Sequence, residues 1–291
     1  MLKRRIASVL LILLLIIGIA GCGDFGNQQD ATKSNGYERP TVTDVRVHVI
    51  DVGQGDSIFI ETPSTCILID AGISDAAKTV EDYLHGLGYG EIDILIATHP
   101  HADHIGGMAH IIKNFDIDKF YMPKVSHNTK TFEGMLRAAE SKGLKVHTAK
   151  AGVNLITEEK LSADMLSPIN ISYKDLNNFS TVVMLTYGDT KFLFMGDAEA
   201  QVEEMLGDVS ADVLKVGHHG SSTSSRKAFL ERVSPKYAAI SAGKNNSYGH
   251  PHKETIENLK QVGAEIYITY EAGNIVFISD GKEIEVKTGN E

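Results

Sequence analysis

Thr98-His99-Pro100-His101-Ala102-Asp103-His104-Ile105-Gly106-Gly107 is the stretch on which the reading of this chain turns. Three histidines and an aspartate fall within six residues, directly behind the apolar run 92–97, which reads as a buried strand. His99 and His101, two apart on an extended loop, can face the same way and share one metal ion. Asp103 and His104 then turn toward a second ion. Zinc takes imidazole nitrogen at about 2.0–2.1 Å and keeps a position open for water when it is catalytic. Paired ions roughly 3.5–4 Å apart polarise a phosphoryl or carbonyl oxygen and generate a hydroxide nucleophile. A solvated His-rich loop is the bland alternative in a chain with 12 histidines among 291 residues. The strand before the cluster and the Gly-Gly turn after it weigh against that alternative.

Working outward, strands are expected over 45–50, 57–60, 66–69, 92–97, 182–187, 191–195, 213–216, 237–241, 266–269, 275–279 and 283–286. Helices are expected over 76–87, 108–115, 131–142, 199–206 and 227–233. Gly188-Asp189 and Asp280-Gly281 mark hairpins. Strands interleaved with helices in two similar halves predict an α/β fold of two sheets packed together with helices outside.

Further candidates stand at expected strand ends, where sites are commonly built. Asp197 follows the strand 191–195 and precedes a helix, so it is either a ligand or a plain N-cap. His218 and His219 follow the strand 213–216. Adjacent histidines rarely face the same way, so one is expected inward and one supporting. His250 and His252 lie two apart across Pro251. Asp51, Asp56 and Asp70 are candidates to hydrogen-bond the ligand loops from behind. His48, His85, His110, His127 and His147 lack partners at ligand spacing.

His99-x-His101-x-Asp103-His104 resembles the signature of the metallo-β-lactamase-fold hydrolases. Asp51-Val52-Gly53-Gln54-Gly55-Asp56-Ser57, Leu68-Ile69-Asp70-Ala71-Gly72, Phe194-Met195-Gly196-Asp197, Val216-Gly217-His218-His219-Gly220-Ser221-Ser222 and Tyr248-Gly249-His250-Pro251-His252 bring the resemblance closer to the corresponding domain of the ComEC DNA-uptake proteins and its stand-alone relatives. The resemblance covers about residues 45–280. It implies an αββα sandwich, two mixed sheets face to face with helices outside, and metals at one edge. It further implies metal ligation by His99, His101, Asp103, His104 and Asp197, with Asp197 bridging, and a late histidine ligand for which His250 is favoured. His218 is then a ligand or a phosphate contact. Asp103, His218 and His252 are the catalytic candidates: Asp103 to orient the nucleophile, His218 to contact phosphate, and His252, together with Ser221, Ser222 and Lys253, to hold phosphate or protonate the leaving group. The wider family carries one more histidine ligand between the first cluster and Asp197. Here Asn177-Asn178-Phe179-Ser180 occupies that place, and Asn178 either ligates through its carbonyl oxygen or positions substrate. The cofactor expected is zinc, as one or two ions, or a harder ion such as manganese.

Residues 1–21 carry Lys3, Arg4 and Arg5 ahead of an unbroken apolar core over 9–17, too short for the roughly 20 residues of a spanning helix. Ile19-Ala20-Gly21-Cys22 resembles a lipobox, so 1–21 is read as a lipoprotein signal peptide and Cys22 as the lipidated N-terminus. Residues 22–41 are polar and Gly-rich and read as a flexible tether, leaving 42–291 as the hydrolase domain. Cys66, alone in an apolar run, is expected buried and inert, with no disulfide. Lys and Arg number 28 against 38 Asp and Glu, a net charge of −10; without the three basic leader residues the balance is 25 to 38, or −13. Such a body does not coat nucleic acid through many Lys–phosphate contacts, yet a bound metal reverses the local field.

The leading expectation is therefore an extracytoplasmic, lipid-anchored metallo-hydrolase that cleaves phosphodiesters by attack of metal-bound hydroxide. Its partners would be a phosphodiester or small anionic substrate, DNA among them, and the membrane surface, with no obligate protein partner. The alternatives are a hydrolase of teichoic-acid or another non-nucleic phosphodiester, and a non-catalytic binding lipoprotein on the same fold.

Overall fold

The computed structural model describes residues 36–170 and 172–289. The expected signal peptide, Cys22 and most of the expected tether lie outside the described residues. In chain order the strands are β1 (Val45–Val49), β2 (Ile58–Glu61), β3 (Cys66–Ile69), β4 (Glu91–Ile96), β5 (Asp116–Pro123), β6 (Val146–Ala149), β7 (Asn154–Thr157), β8 (Leu161–Met165), β9 (Val183–Tyr187), β10 (Thr190–Phe194), β11 (Val213–Lys215), β12 (Tyr237–Ile240), β13 (Glu265–Ile268), β14 (Ile275–Ser279) and β15 (Ile284–Thr288). Among the described residues they form an eight-stranded sheet, β15-β14-β1-β2-β3-β4-β5-β6, and a seven-stranded sheet, β13-β12-β11-β10-β9-β8-β7. Each sheet is mixed. The first is antiparallel from β15 to β3 and parallel from β3 to β6. The second is parallel from β13 to β10 and antiparallel onward.

Alternation along the strands builds the layers. In β4, Ile94 and Ile96 point into the core between the sheets, while Leu95 and the following Ala97 point to an outer helical layer. In β10, Phe192 and Phe194 enter the same central core, whereas Leu193 and the following Met195 face the other outer layer. The period-2 side-chain geometry of a strand buries both faces only if helices cover the outside of each sheet. Helices α1 (Ala77–Gly86), α2 (Ala102–Ile105), α3 (Met108–Asn114) and α4 (Lys130–Ser141) come from the first half of the chain. Helices α5 (Ala200–Met205), α6 (Lys227–Val233), α7 (Lys253–Gln261) and α8 (Thr269–Ala272) come from the second. Val80, Leu84, Ile111 and Met135 cover the first sheet; Val202, Leu230 and Leu259 cover the second. The result is the expected αββα sandwich.

Four strands, β5, β6, β7 and β8, and the helices α2, α7 and α8 are not legible in the sequence as such. β6 and β7 are the outermost strands of their sheets, so one edge of each is free and their residues are largely exposed. α7 buries only Thr255 and Leu259, too few to give a helical apolar stripe. Cys66 is buried and its thiol is pushed up to about 12, chiefly by burial and then by Asp93. Among the described residues no helix is long and apolar enough to cross a membrane.

Candidate metal centre

The site forms where parallel strands of both sheets end: β3 leads to Asp70, β4 to His99, β10 to Asp197 and β11 to His218 and His219. Carboxyl ends of strands are where open α/β sheets commonly bind ligands. After β4 the chain stays extended through His101, then turns into α2, so that Asp103 and His104 project from a helical turn. This turn is zipped to the loop after β3: Ala71 N–H donates to His104 O at 2.8 Å and Gly107 N–H to Gly72 O at 3.1 Å. A Cβ on Gly107 would stand 2.3 Å from Ala71 O, so only glycine permits that approach. Asp103 is held from the other side, its carbonyl accepting from Asp56 N–H at 3.2 Å.

Ligand-type atoms gather in two main groups, Asp103/His104/Asp197/His219 and His99/His101/Asp197. Asp197 belongs to both. Its Oδ1 lies 3.2 Å from His104 Nε2 and 3.5 Å from His219 Nε2; its Oδ2 lies 3.6 Å from His99 Nε2. Asp103 Oδ2 closes the first group at 3.3 Å from His219 Nε2. In the second, His99 Nε2 and His101 Nδ1 stand 3.1 Å apart.

The outer nitrogens fix the tautomers. His104 Nδ1 is 2.7 Å from Asp70 Oδ2 and His219 Nδ1 is 3.0 Å from the Ser241 carbonyl. Both partners only accept, so each Nδ1 carries the hydrogen and each Nε2 turns a lone pair inward. Those two Nε2 atoms are 3.2 Å apart in a buried site, beside an Asp197 Oδ1 that has no hydrogen-bond partner. Lone pairs converging on a buried carboxylate call for a cation, and the set of imidazoles and carboxylates suits a divalent one. Without it protons take its place. Burial alone would depress His219, but Asp197, Asp103 and Asp56 lift it to about 9. His104 is likewise raised against its burial by Asp197, Asp70 and Asp103. Asp197 is held well below its usual range: burial opposes ionisation, and His104 and His219 overcome it. His99, buried beside His104, is pushed down.

Behind the ligands stands a buried polar scaffold. Asp70 also accepts from Thr98 N–H at 2.8 Å and Thr98 Oγ1 at 2.6 Å; that hydroxyl in turn lies 3.1 Å from His99 Nδ1. Asp56 Oδ1 is 3.4 Å from His219 Nδ1, and its Oδ2 receives Lys215 Nζ at 2.8 Å. Both Lys215 and Asp56 are about 1% exposed. Lys215 was missed at the sequence level because it sits inside an apolar strand with no sign that it has a buried partner.

His219 was passed over in favour of His250 as the late ligand; the geometry brings His219 into the cluster. The two adjacent histidines both reach the site because His218 (φ 49°) and His219 (φ 53°) are both left-handed. Non-glycine residues rarely adopt that conformation, and each such residue costs on the order of 1–3 kcal/mol. His218 Nε2 lies 3.7 Å from Asp197 Oδ2, with Nδ1 facing Thr223 Oγ1 at 3.0 Å and Glu199 Oε1 at 3.5 Å. His250 lies outside both ligand groups. Its ring faces His219 at 6.3 Å between centroids, and burial together with His218 and His219 brings its pKa down to about 4. His252 is turned away: Nδ1 accepts from Ser222 N–H at 2.9 Å and Nε2 faces Tyr248 O at 3.2 Å. Ser221 and Ser222 likewise bond Thr223 and His252 rather than an open anion site. Asn178 is spent on Glu199, accepting its N–H at 3.2 Å. The neighbouring Asn177 instead lines the cavity, with Oδ1 buried and unpartnered.

Residues 50–244 match the Metallo-beta-lactamase superfamily, and the chain belongs to that family. Among its relatives, ComE operon protein 3 of Bacillus subtilis (strain 168) is 32% identical over 253 residues, covering 79% of this chain and 32% of that protein. Competence protein ComA of Neisseria gonorrhoeae is 30% identical over 239 residues, covering 79% of this chain and 32% of that protein. The chain thus spans about a third of the length of these curated relatives. The metallo-beta-lactamase fold protein YhfI from Bacillus subtilis matches in structure with TM-score 0.56 at 13% identity, over 81% of this chain and 100% of that one. The fold is that of a metallo-hydrolase, a family that implies divalent metal, and the described residues include His/Asp clusters that could hold it.

Proposed function

We propose that this chain is a metal-dependent phosphodiesterase. The observation that carries the reading is the bridging placement of Asp197, one carboxylate oxygen to each ligand cluster. Asp103, His104 and His219 with Asp197 Oδ1 would hold one zinc or manganese ion, and His99 and His101 with Asp197 Oδ2 a second. When bound, divalent metal supplies a Lewis acid for the substrate oxygen and a water acidic enough to act as nucleophile near neutral pH. Asp103, about a third exposed and lining the cavity, would orient the nucleophile through a carboxylate oxygen. His218, backed by Glu199 at Nδ1, presents Nε2 to the cavity and is placed to pass a proton to the leaving oxygen. Similarity to competence proteins and the ComEC-type motifs favour phosphorus over carbon as the centre attacked.

A panel of single-stranded DNA, bis-nitrophenyl phosphate, a lactone and a β-lactam, with zinc or manganese supplied at fixed salt, tests the substrate class. Turnover of the phosphodiesters is expected. Turnover of the lactone or β-lactam beside inert phosphodiesters would overturn the assignment and leave the metal centre standing.

The reading places the enzyme outside the cytoplasm, held at the membrane surface by lipid on Cys22. Once its leader is removed, Cys22→Ser protein should leave the membrane fraction; a processed Cys22→Ser protein that stayed fully membrane-bound would rule out the lipid anchor.

A further inference from the structure

The segment 243–252 is not needed to ligate metal, yet it is built with unusual care. Asn246 alone ties it together: Nδ2 donates to Gly243 O at 2.9 Å and His250 O at 2.6 Å, and Oδ1 accepts from Tyr248 N–H at 3.1 Å and His250 N–H at 3.0 Å. From the far side His252 Nε2 reaches Tyr248 O. Gly220 abuts the same loop; a Cβ there would stand 2.6 Å from Pro251 Cβ. What this bracing holds up is the ring of Tyr248, 64% exposed, the most exposed large hydrophobic side chain among the described residues.

Tyr248 does not stand on open surface. It lines the cavity of about 370 Å³ over the metal ligands, shared with Gln54, Asn177, His218 and His250. Its ring lies nearly parallel to that of His250, 20° between planes and 5.5 Å between centroids. His250 lies in turn at 25° to His219. Aromatic planes thus run from the metal ligand to the cavity mouth, and the last plane has one face uncovered. Beside them, two buried polar atoms of the lining have no partner: Gln54 Nε2, a donor, and Asn177 Oδ1, an acceptor. Gln54 is fixed in that orientation because its Oε1 accepts from Gly243 N–H at 3.1 Å.

We infer that Tyr248 is a stacking platform for a nucleobase of the substrate, with Gln54 and Asn177 available to its polar edge or to the adjoining sugar-phosphate. The inference rests on the phosphodiesterase reading and narrows it to nucleotide substrates. A flat ring with an exposed face accepts any base, because every base presents a π-face, and a base edge offers both acceptors and donors. A choline headgroup is bound instead by a cage of several aromatic faces around a cation, and Tyr248 offers a single one. Stacking also suits an acidic body: it holds substrate without a basic groove, leaving only the phosphate at the scissile position to the metal centre.

The test is calorimetric binding to the manganese-loaded protein of three probes: thymidine 5′-monophosphate, 2-deoxyribose 5-phosphate and phosphocholine. Wild type and Tyr248→Phe should bind the nucleotide roughly tenfold or more tightly than the base-free sugar phosphate. Tyr248→Ala should bring the two to parity with metal content unchanged; since Tyr248 is exposed, the fold should tolerate the change. Equal binding of nucleotide and sugar phosphate by wild type, or tightest binding of phosphocholine, would overturn the platform alone. Failure of all three probes to bind would also overturn the platform, while the phosphodiester reading is decided separately by turnover of the substrate panel.

Discussion

The two halves of the metal centre share one carboxylate but are supported differently. Around Asp197 Oδ1, His104 and His219 are buried, and each Nδ1–H is fixed by an acceptor, Asp70 for one and the Ser241 carbonyl for the other. Asp56 reinforces His219 and is itself pinned by the buried Lys215. Around Asp197 Oδ2, His99 Nδ1 reaches only hydroxyls, Thr98 at 3.1 Å and Ser180 at 3.4 Å, and His101 is half-buried. Asn177 lines the cavity beside His218 and belongs to neither ligand group. Carboxylates behind a histidine orient it and raise its basicity, and His99 has only hydroxyls in that place. The comparison teaches that one bridging residue can serve two sites of unequal strength, the difference lying in what stands behind the imidazoles.

Replacing the shared residue gives the largest effect. Asp197→Ala should strip both halves, with metal content by elemental analysis near zero and hydrolysis at background. Normal turnover by metal-depleted Asp197→Ala protein would end the metallo-hydrolase reading. Asp70→Asn comes next, because it removes the charge directly behind His104 while keeping the shape. Metal affinity measured by competition with a chelator should fall toward the upper part of the roughly 10–100-fold range seen for such partners. Thr98→Val should do least, near the lower end of that range, since it removes only the hydroxyl relay from Asp70 to His99. Equal losses in the last two variants would erase the proposed inequality.

Much of this was legible in the sequence, for identifiable reasons. The cluster 98–107 is local, so spacing alone placed His99, His101, Asp103 and His104 together, and the apolar run before it set the strand end. β4 and β10 could be read because both faces of each strand are buried, leaving apolar runs. Edge strands such as β6 and β7 mix polar and apolar residues and left no such trace. The choice between His219 and His250 turned on backbone dihedrals. Two consecutive left-handed residues bring His219 inward, and histidine, unlike glycine, does not advertise that conformation. Asn177 and Asn178 are adjacent, and only the pairing of Asn178 with Glu199 decides which one faces the cavity. Lys215 was invisible for the converse reason: its partner Asp56 is 159 positions away.

The most direct test is a count of bound metal after dialysis, by elemental analysis and manganese calorimetry, on wild type, His219→Ala and His101→Ala. Wild type should retain one ion per chain and take up a second only at higher concentration. His101→Ala should keep the retained ion and lose the weaker one, while His219→Ala should lose the retained ion. A wild type that binds no divalent metal, or an ion that survives His219→Ala but not His101→Ala, would contradict the assignment of the strong half to Asp103, His104, His219 and Asp197.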